Sequence, residues 1–145
     1  MVRTGDAENA CIALFERVLG SAACRRHTFD FLRGDPTPNR PRGVPLPVDA
    51  YFSEFNLVVE YMGAQHFVAH PWMDRRPGRR EQRREYQERR SQVLAEHGIR
   101  LIRVRYDELA GEAVRAKLAE AGIIDHDDKV IQRTSAAIGD IRVEP

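Results

Sequence analysis

Cysteine is nearly absent from this 145-residue chain, and so is lysine. Cys11 and Cys24 are its two cysteines, and Lys117 and Lys129 are its two lysines beside 21 arginines. Two cysteines are too few for a disulfide scaffold or a cysteine-based metal site, so a reducing compartment is expected. Cys11 falls in an apolar helical pattern and reads as a packing residue. The chain also lacks any run of about 18 apolar residues, and no signal-like stretch follows Met1, so no membrane role and a soluble, cytoplasmic protein are expected. The length fits one core of ordinary size. We expect a domain over residues 1–124 and a tail over 125–145 carrying a short helix around Val130 to Ile138.

The formal net charge of +1 conceals a concentration of arginine. Between Arg75 and Arg90 eight arginines face three glutamates, a local excess of five positive charges in a chain otherwise slightly acidic. Such asymmetry points to an anionic partner.

Apolar residues recur at helical spacing from Ala7 to Leu19, with Asp6 as N-cap and Gly20 as stop. Glu8 shares a stripe with Ile12, Phe15 and Leu19, so a carboxylate borders the inward face. His27 to Leu32 reads as a first strand. Pro36, Pro38, Pro41 and Pro45 make Gly34 to Pro45 a loop. Val48 to Phe52 and Asn56 to Met62 form a hairpin. If it is symmetric about Glu54 and Phe55, Asp49 faces Glu60, and opposed carboxylates repel unless a cation lies between them. Beyond a breaker-rich stretch, Arg79 to His97 reads as a long helix ending at Gly98, with Tyr86, Val93 and Leu94 inward and a basic first half. Ile99 to Arg105 is a fourth strand and Asp107 to Ala121 a last helix. The order predicts an α/β protein with a mixed central sheet flanked by helices.

Asp49 and Glu60 present the oxygen donors that Mg²⁺ takes, Glu8 can join them, and the arginines suit phosphates. Together they suggest metal-dependent hydrolysis of a nucleic-acid phosphodiester. His66, His70 and Asp74 also have a zinc-like spacing, but Pro71 breaks the helix that would align them.

The segments LPVDAYFSEFNLVVEYMGAQHF and YQERRSQVLAEHGIRLIRVRYDEL resemble the PD-(D/E)XK nuclease superfamily, in particular its small single-domain branch related to very-short-patch-repair and restriction endonucleases. The resemblance runs from Glu8 to Leu109. It implies a restriction-endonuclease-like αβββαβ core and a DNA endonuclease using Mg²⁺, with Mn²⁺ as substitute. Asp49, Glu60 and Glu8 would be metal ligands, and Gln65 and His66 would complete the catalytic set. Met62 stands where the family carries lysine, so Gln65 or His66 takes over its task, and loss of activity with retention of nucleic-acid binding is the alternative. Arg79, Arg80, Arg83 and Arg84 are expected to contact backbone phosphates, and Arg90, four residues after Tyr86, to bind nucleic acid nearer the scissile group. Gln82 and Tyr86 match a Gln-x-x-x-Tyr spacing found beside the active site in some of these nucleases. DNA, duplex or branched, is the expected partner, with RNA as a variant of the same chemistry. A chain this small would gain sequence specificity through a homodimer or a partner protein.

Overall fold

The computed structural model describes residues 4–64 and 77–131. Helix α1 spans Thr4–Leu19, strand β1 Cys24–His27, β2 Val48–Phe52 and β3 Leu57–Met62, followed by α2 over Arg79–Glu96, β4 over Arg100–Arg105 and α3 over Gly111–Glu120. The four strands form one sheet in the order β1-β2-β3-β4. The first two pairings are antiparallel and the β3–β4 pairing is parallel, so the sheet is mixed and open and the protein is α/β. The parallel step needs a crossover connection, and α2 supplies it.

Each face of the sheet buries its own apolar cluster. Phe15 of α1 and Leu118 of α3 pack with Phe52, Leu57, Val59 and Val104. The other cluster joins Leu94 of α2 to Leu32, Val48, Val58 and Ile99. Full burial of a Leu, Val or Phe side chain contributes about 1.5–3 kcal/mol, which makes both faces strongly held platforms. Among the described residues no helix is long and apolar enough to cross a membrane. Both cysteines are free; Cys11 is buried and Cys24 exposed.

Four boundaries differ by more than one residue from those expected of the sequence. The first strand is Cys24–His27, not His27 to Leu32, because the next residues turn: Leu32 N–H donates to the Phe29 carbonyl at 3.1 Å. Phe29 and Phe31 stack on one another and extend to Tyr51 and His97 rather than entering the sheet. Asp6 lies inside the first turn of α1 rather than capping it, still near the positive helix end. The last helix starts at Gly111 because Tyr106–Glu108 forms a 3₁₀ turn, closed by Glu108 accepting the Arg105 N–H at 2.8 Å. Val130 bridges Ile124 instead of opening a helix, and the rest of that expected helix from residue 132 lies outside the described residues.

The proline-rich loop is tied to α2. The Arg89 guanidinium donates to the Arg33 carbonyl at 2.9 Å and to Asp35 at 2.6 Å, and the Asp35 N–H donates to the Tyr86 hydroxyl at 2.9 Å. Gly34 lies so close to the Tyr86 ring that a Cβ would stand 2.9 Å from its oxygen.

Candidate functional site

The hairpin register pairs Ala50 with Val59, Tyr51 with Val58 and Phe52 with Leu57, each pair summing to the same value. Continued by one residue, it sets Asp49 level with Glu60, as the symmetric turn predicts. The parallel register pairs Glu60 with Arg103. On the other side Arg25 pairs with Ala50 and His27 with Val48, which sets Arg26 level with Asp49. One row thus crosses the sheet: Arg26, Asp49, Glu60, Arg103. Level residues on adjacent strands lie on one face, so the two acids sit between two bases.

Glu60 is 7% exposed, the buried charged residue of the described chain. Its Oε1 accepts from Arg103 Nε at 3.2 Å, and its Oε2 lies 3.6 Å from Arg90 Nε, which comes down from α2. Burial raises the Glu60 pKa; Arg90 and Arg103 oppose that shift and Asp49 adds to it. The cation that an opposed Asp–Glu pair requires is therefore present at least in part as guanidinium. Asp49 Oδ2 accepts the Tyr61 N–H at 2.8 Å, a backbone donor just beyond the paired residues of the hairpin.

A cavity of about 390 Å³ opens over the Arg26, Asp49 and Glu60 part of this row. Glu8 of α1, Arg26, Asp49, Glu60, Met62 and Arg90 line it. Glu8 lines it from α1, whose Cys11, Ile12 and Phe15 belong to the same core cluster as Ala50 and Val59 of the hairpin. Burial raises the Glu8 pKa first and the Asp49 charge second, while Arg26 and Arg25 lower it. Cys11 lies near these acids; burial, then Asp49 and Glu8, push its thiol up to about 12, so it is an inert packing residue as expected. Arg26 enters the cavity from a left-handed backbone (φ 53°), a conformation uncommon outside glycine.

The structure thus brings together Glu8, Asp49, Glu60 and Arg90 of the residues singled out in the sequence. Arg80, Arg83 and Arg84 line a second cavity farther along α2, and Arg79 and Gln82 a third, smaller one. Tyr86 is committed to the Asp35 N–H, with Gln82 donating to its hydroxyl at 3.5 Å. Gln65 and His66, and with them His70, Trp72, Asp74, Arg75 and Arg76, lie outside the described residues. Arg26, Arg103 and Gln87 were not anticipated. The signal for the first two was strand register, since both stand level with the acids.

Hard oxygen donors suit a hard cation, and Mg²⁺ is commonly held by only one or two carboxylates with water and phosphate completing its shell. Asp49 and Glu60 fit such a half-site, with Glu8 on the same cavity wall. Among the described residues no three His, Cys, Asp or Glu groups converge into a complete metal centre. Fold and site define an α/β protein with an acidic pair, Glu60 buried and Asp49 half-buried, framed by arginines. No protein family, no curated protein and no solved structure matches the chain.

Proposed function

We propose that the protein is a metal-dependent DNA endonuclease of restriction-endonuclease-like fold, with its centre in the Asp49–Glu60 cavity. The observation that carries this reading is that Asp49 and Glu60, level on adjacent strands, open into one cavity with Glu8, Arg26 and Arg90 on its walls, while Arg103 backs Glu60 from outside it. Asp49 and Glu60, assisted by Glu8, would hold Mg²⁺ or Mn²⁺. Bound there, the ion supplies an acidified water and polarises the scissile phosphate.

The remaining work falls to side chains of the chain itself. Arg26 and Arg90 line the same cavity as the acids and offset negative charge on a phosphodiester entering it. Arg90 has its guanidinium fixed by the Pro47 carbonyl at 3.2 Å, and it provides the positive charge that Met62 lacks. Arg103 holds Glu60 from below, with its own head anchored to Ser91 and Gln87. Gln65 and His66 remain the candidates for orienting the attacking water, and a neutral imidazole suits proton transfer near pH 7.

A second reading, a nucleic-acid-binding module of the same fold without catalysis, has its own support: Glu60 is already paired with two arginines and Met62 brings no charge. Incubation of supercoiled plasmid and labelled single-stranded DNA with Mg²⁺ or Mn²⁺, against EDTA, separates the two. The nuclease predicts cation-dependent cutting that Asp49→Ala and Glu60→Ala both abolish. Salt-sensitive DNA binding without cutting on any substrate would establish the binding module instead.

A further inference from the structure

Arg80, Arg84, Gln87 and Ser91 follow one another at three- and four-residue steps and so share one stripe of α2. That stripe looks across a groove to the edge strand β4. The groove encloses a cavity of about 360 Å³ between Arg80, Arg83 and Arg84 on the helix and Arg103 on the strand. It is separate from the carboxylate cavity, yet Gln87 lines both. Arg103 connects them as well: Nε donates to Glu60 at 3.2 Å, Nη1 to the Ser91 hydroxyl at 2.7 Å and Nη2 to the Gln87 carbonyl at 2.8 Å. All three guanidinium nitrogens are engaged, so the base of the groove is rigid before any ligand arrives.

Among the described residues the lining carries four guanidinium groups against the carboxylate of Glu88. Glu60 offsets Arg103, and the exposed Arg80 and Arg84 give the helix wall its basic character. A concave wall of one sign focuses field on what enters it, and the planar guanidinium fork matches a phosphate edge. The volume falls in the range of small-ligand sites, enough for a phosphate with its sugar, larger than an isolated ion requires. The geometry points to a phosphate subsite: we propose that this groove holds the phosphate of a nucleotide unit adjacent to the one in the carboxylate cavity. The assignment of the ligand to a nucleic-acid strand rests on the nuclease reading. The phosphate itself is either a terminal monoester or an internal diester.

The test uses the full chain in EDTA, where no cutting occurs, and labelled oligonucleotides bearing either a 5′-phosphate or a 5′-hydroxyl. Affinity is read by anisotropy between about 50 and 200 mM salt for wild type, for the double variant Arg80→Gln with Arg84→Gln, and for Arg17→Gln on α1. Arg80, Arg84 and Arg17 are exposed, and thermal melts of the variants check that folding is intact. The subsite predicts a loss of about ten-fold or more in the double variant, a log–log salt slope shallower by about two, and a change below about two-fold for Arg17→Gln. A wild-type preference for the 5′-phosphate that vanishes in the double variant identifies the terminal monoester as the source. Equal loss on both oligonucleotides identifies the internal diester. Affinity of the double variant within about two-fold of wild type, or an equal loss in Arg17→Gln, overturns the proposal. Failure of wild type to cut DNA in Mg²⁺ while the arginine result holds would sink the nuclease reading and leave the phosphate subsite standing.

Discussion

Replacing Arg103 with methionine retains a long side chain and removes the guanidinium that donates to Glu60, Ser91 and Gln87. Glu60 stays buried, with Arg90 3.6 Å away as its other ion-pair partner. Breaking a buried pair costs about 3–5 kcal/mol because a charge is left without its counterion. The Arg103 side chain is 24% exposed and Arg90 still contributes, so the low end applies, about 3 kcal/mol at neutral pH. With a urea dependence of about 2 kcal/mol per molar, the denaturation midpoint falls by about 1.5 M. Adding Glu60→Gln removes the stranded charge, and the double variant recovers at least about 1.5 kcal/mol of the sum of the two single losses. The loss also depends on pH. Arg103 lowers the Glu60 pKa, so in its absence that pKa rises further above the ordinary carboxylate value. A raised folded pKa gives stability that is full below the unfolded value and falls as pH rises through the folded one; wild type shares that fall up to its own raised Glu60 pKa, so the Arg103→Met defect deepens only as pH rises past that point toward neutrality. Urea denaturation of wild type, both single variants and the double variant checks this cycle. A cost below about 0.5 kcal/mol, or additivity within about 0.5 kcal/mol, would refute the claim that Glu60 and Arg103 act as one electrostatic unit.

Three further outcomes follow from the same geometry. Glu8 has its pKa raised by burial and by Asp49, so its ionisation opposes folding; Glu8→Gln is expected to melt above wild type near pH 7 in EDTA, with the advantage gone below about pH 4. Gly43 has φ +76° and an added Cβ there overlaps the Gly34 carbonyl oxygen, so Gly43→Ala is expected to lose about 2–4 kcal/mol in chemical denaturation. Tyr86→Phe removes the acceptor of the Asp35 N–H, and a loss of about 1 kcal/mol with faster hydrogen exchange at that amide is expected.

The hairpin was legible because an apolar run on each side of Ser53–Phe55 leaves little choice of register, and the register fixes Asp49 level with Glu60. The element order was legible for the same reason, from runs and breakers. Arg26 and Arg103 were not, because each depends on a strand partner far away in sequence. Cys24–His27 is mostly exposed edge, so it lacks the apolar alternation by which strands are recognised. The aromatic residues after it imitated that alternation while Phe29 meets Tyr51 edge-on and Phe31 stacks on His97. The loop's prolines announced irregular backbone, yet its anchoring by Tyr86 and Arg89 appears only when α2 is laid beside it. Charge alone placed the arginines of α2 on one ligand, whereas in the structure Arg90 meets Glu60, Arg89 holds the loop and Arg80, Arg83 and Arg84 line the groove.

The central claim is that the Asp49–Glu60 pair takes a divalent cation in addition to its guanidinium neighbours. Titration of Mn²⁺ into the protein near pH 7.5, with free Mn²⁺ read by electron paramagnetic resonance, tests it without DNA. The account predicts a saturable site on wild type that is lost in both Asp49→Ala and Glu60→Ala and is displaced by Mg²⁺. Its affinity falls toward pH 5, where the raised Glu8 and Glu60 pKa values return protons to the ligands. Absence of saturable Mn²⁺ binding to wild type, or binding that survives both substitutions unchanged, would contradict it.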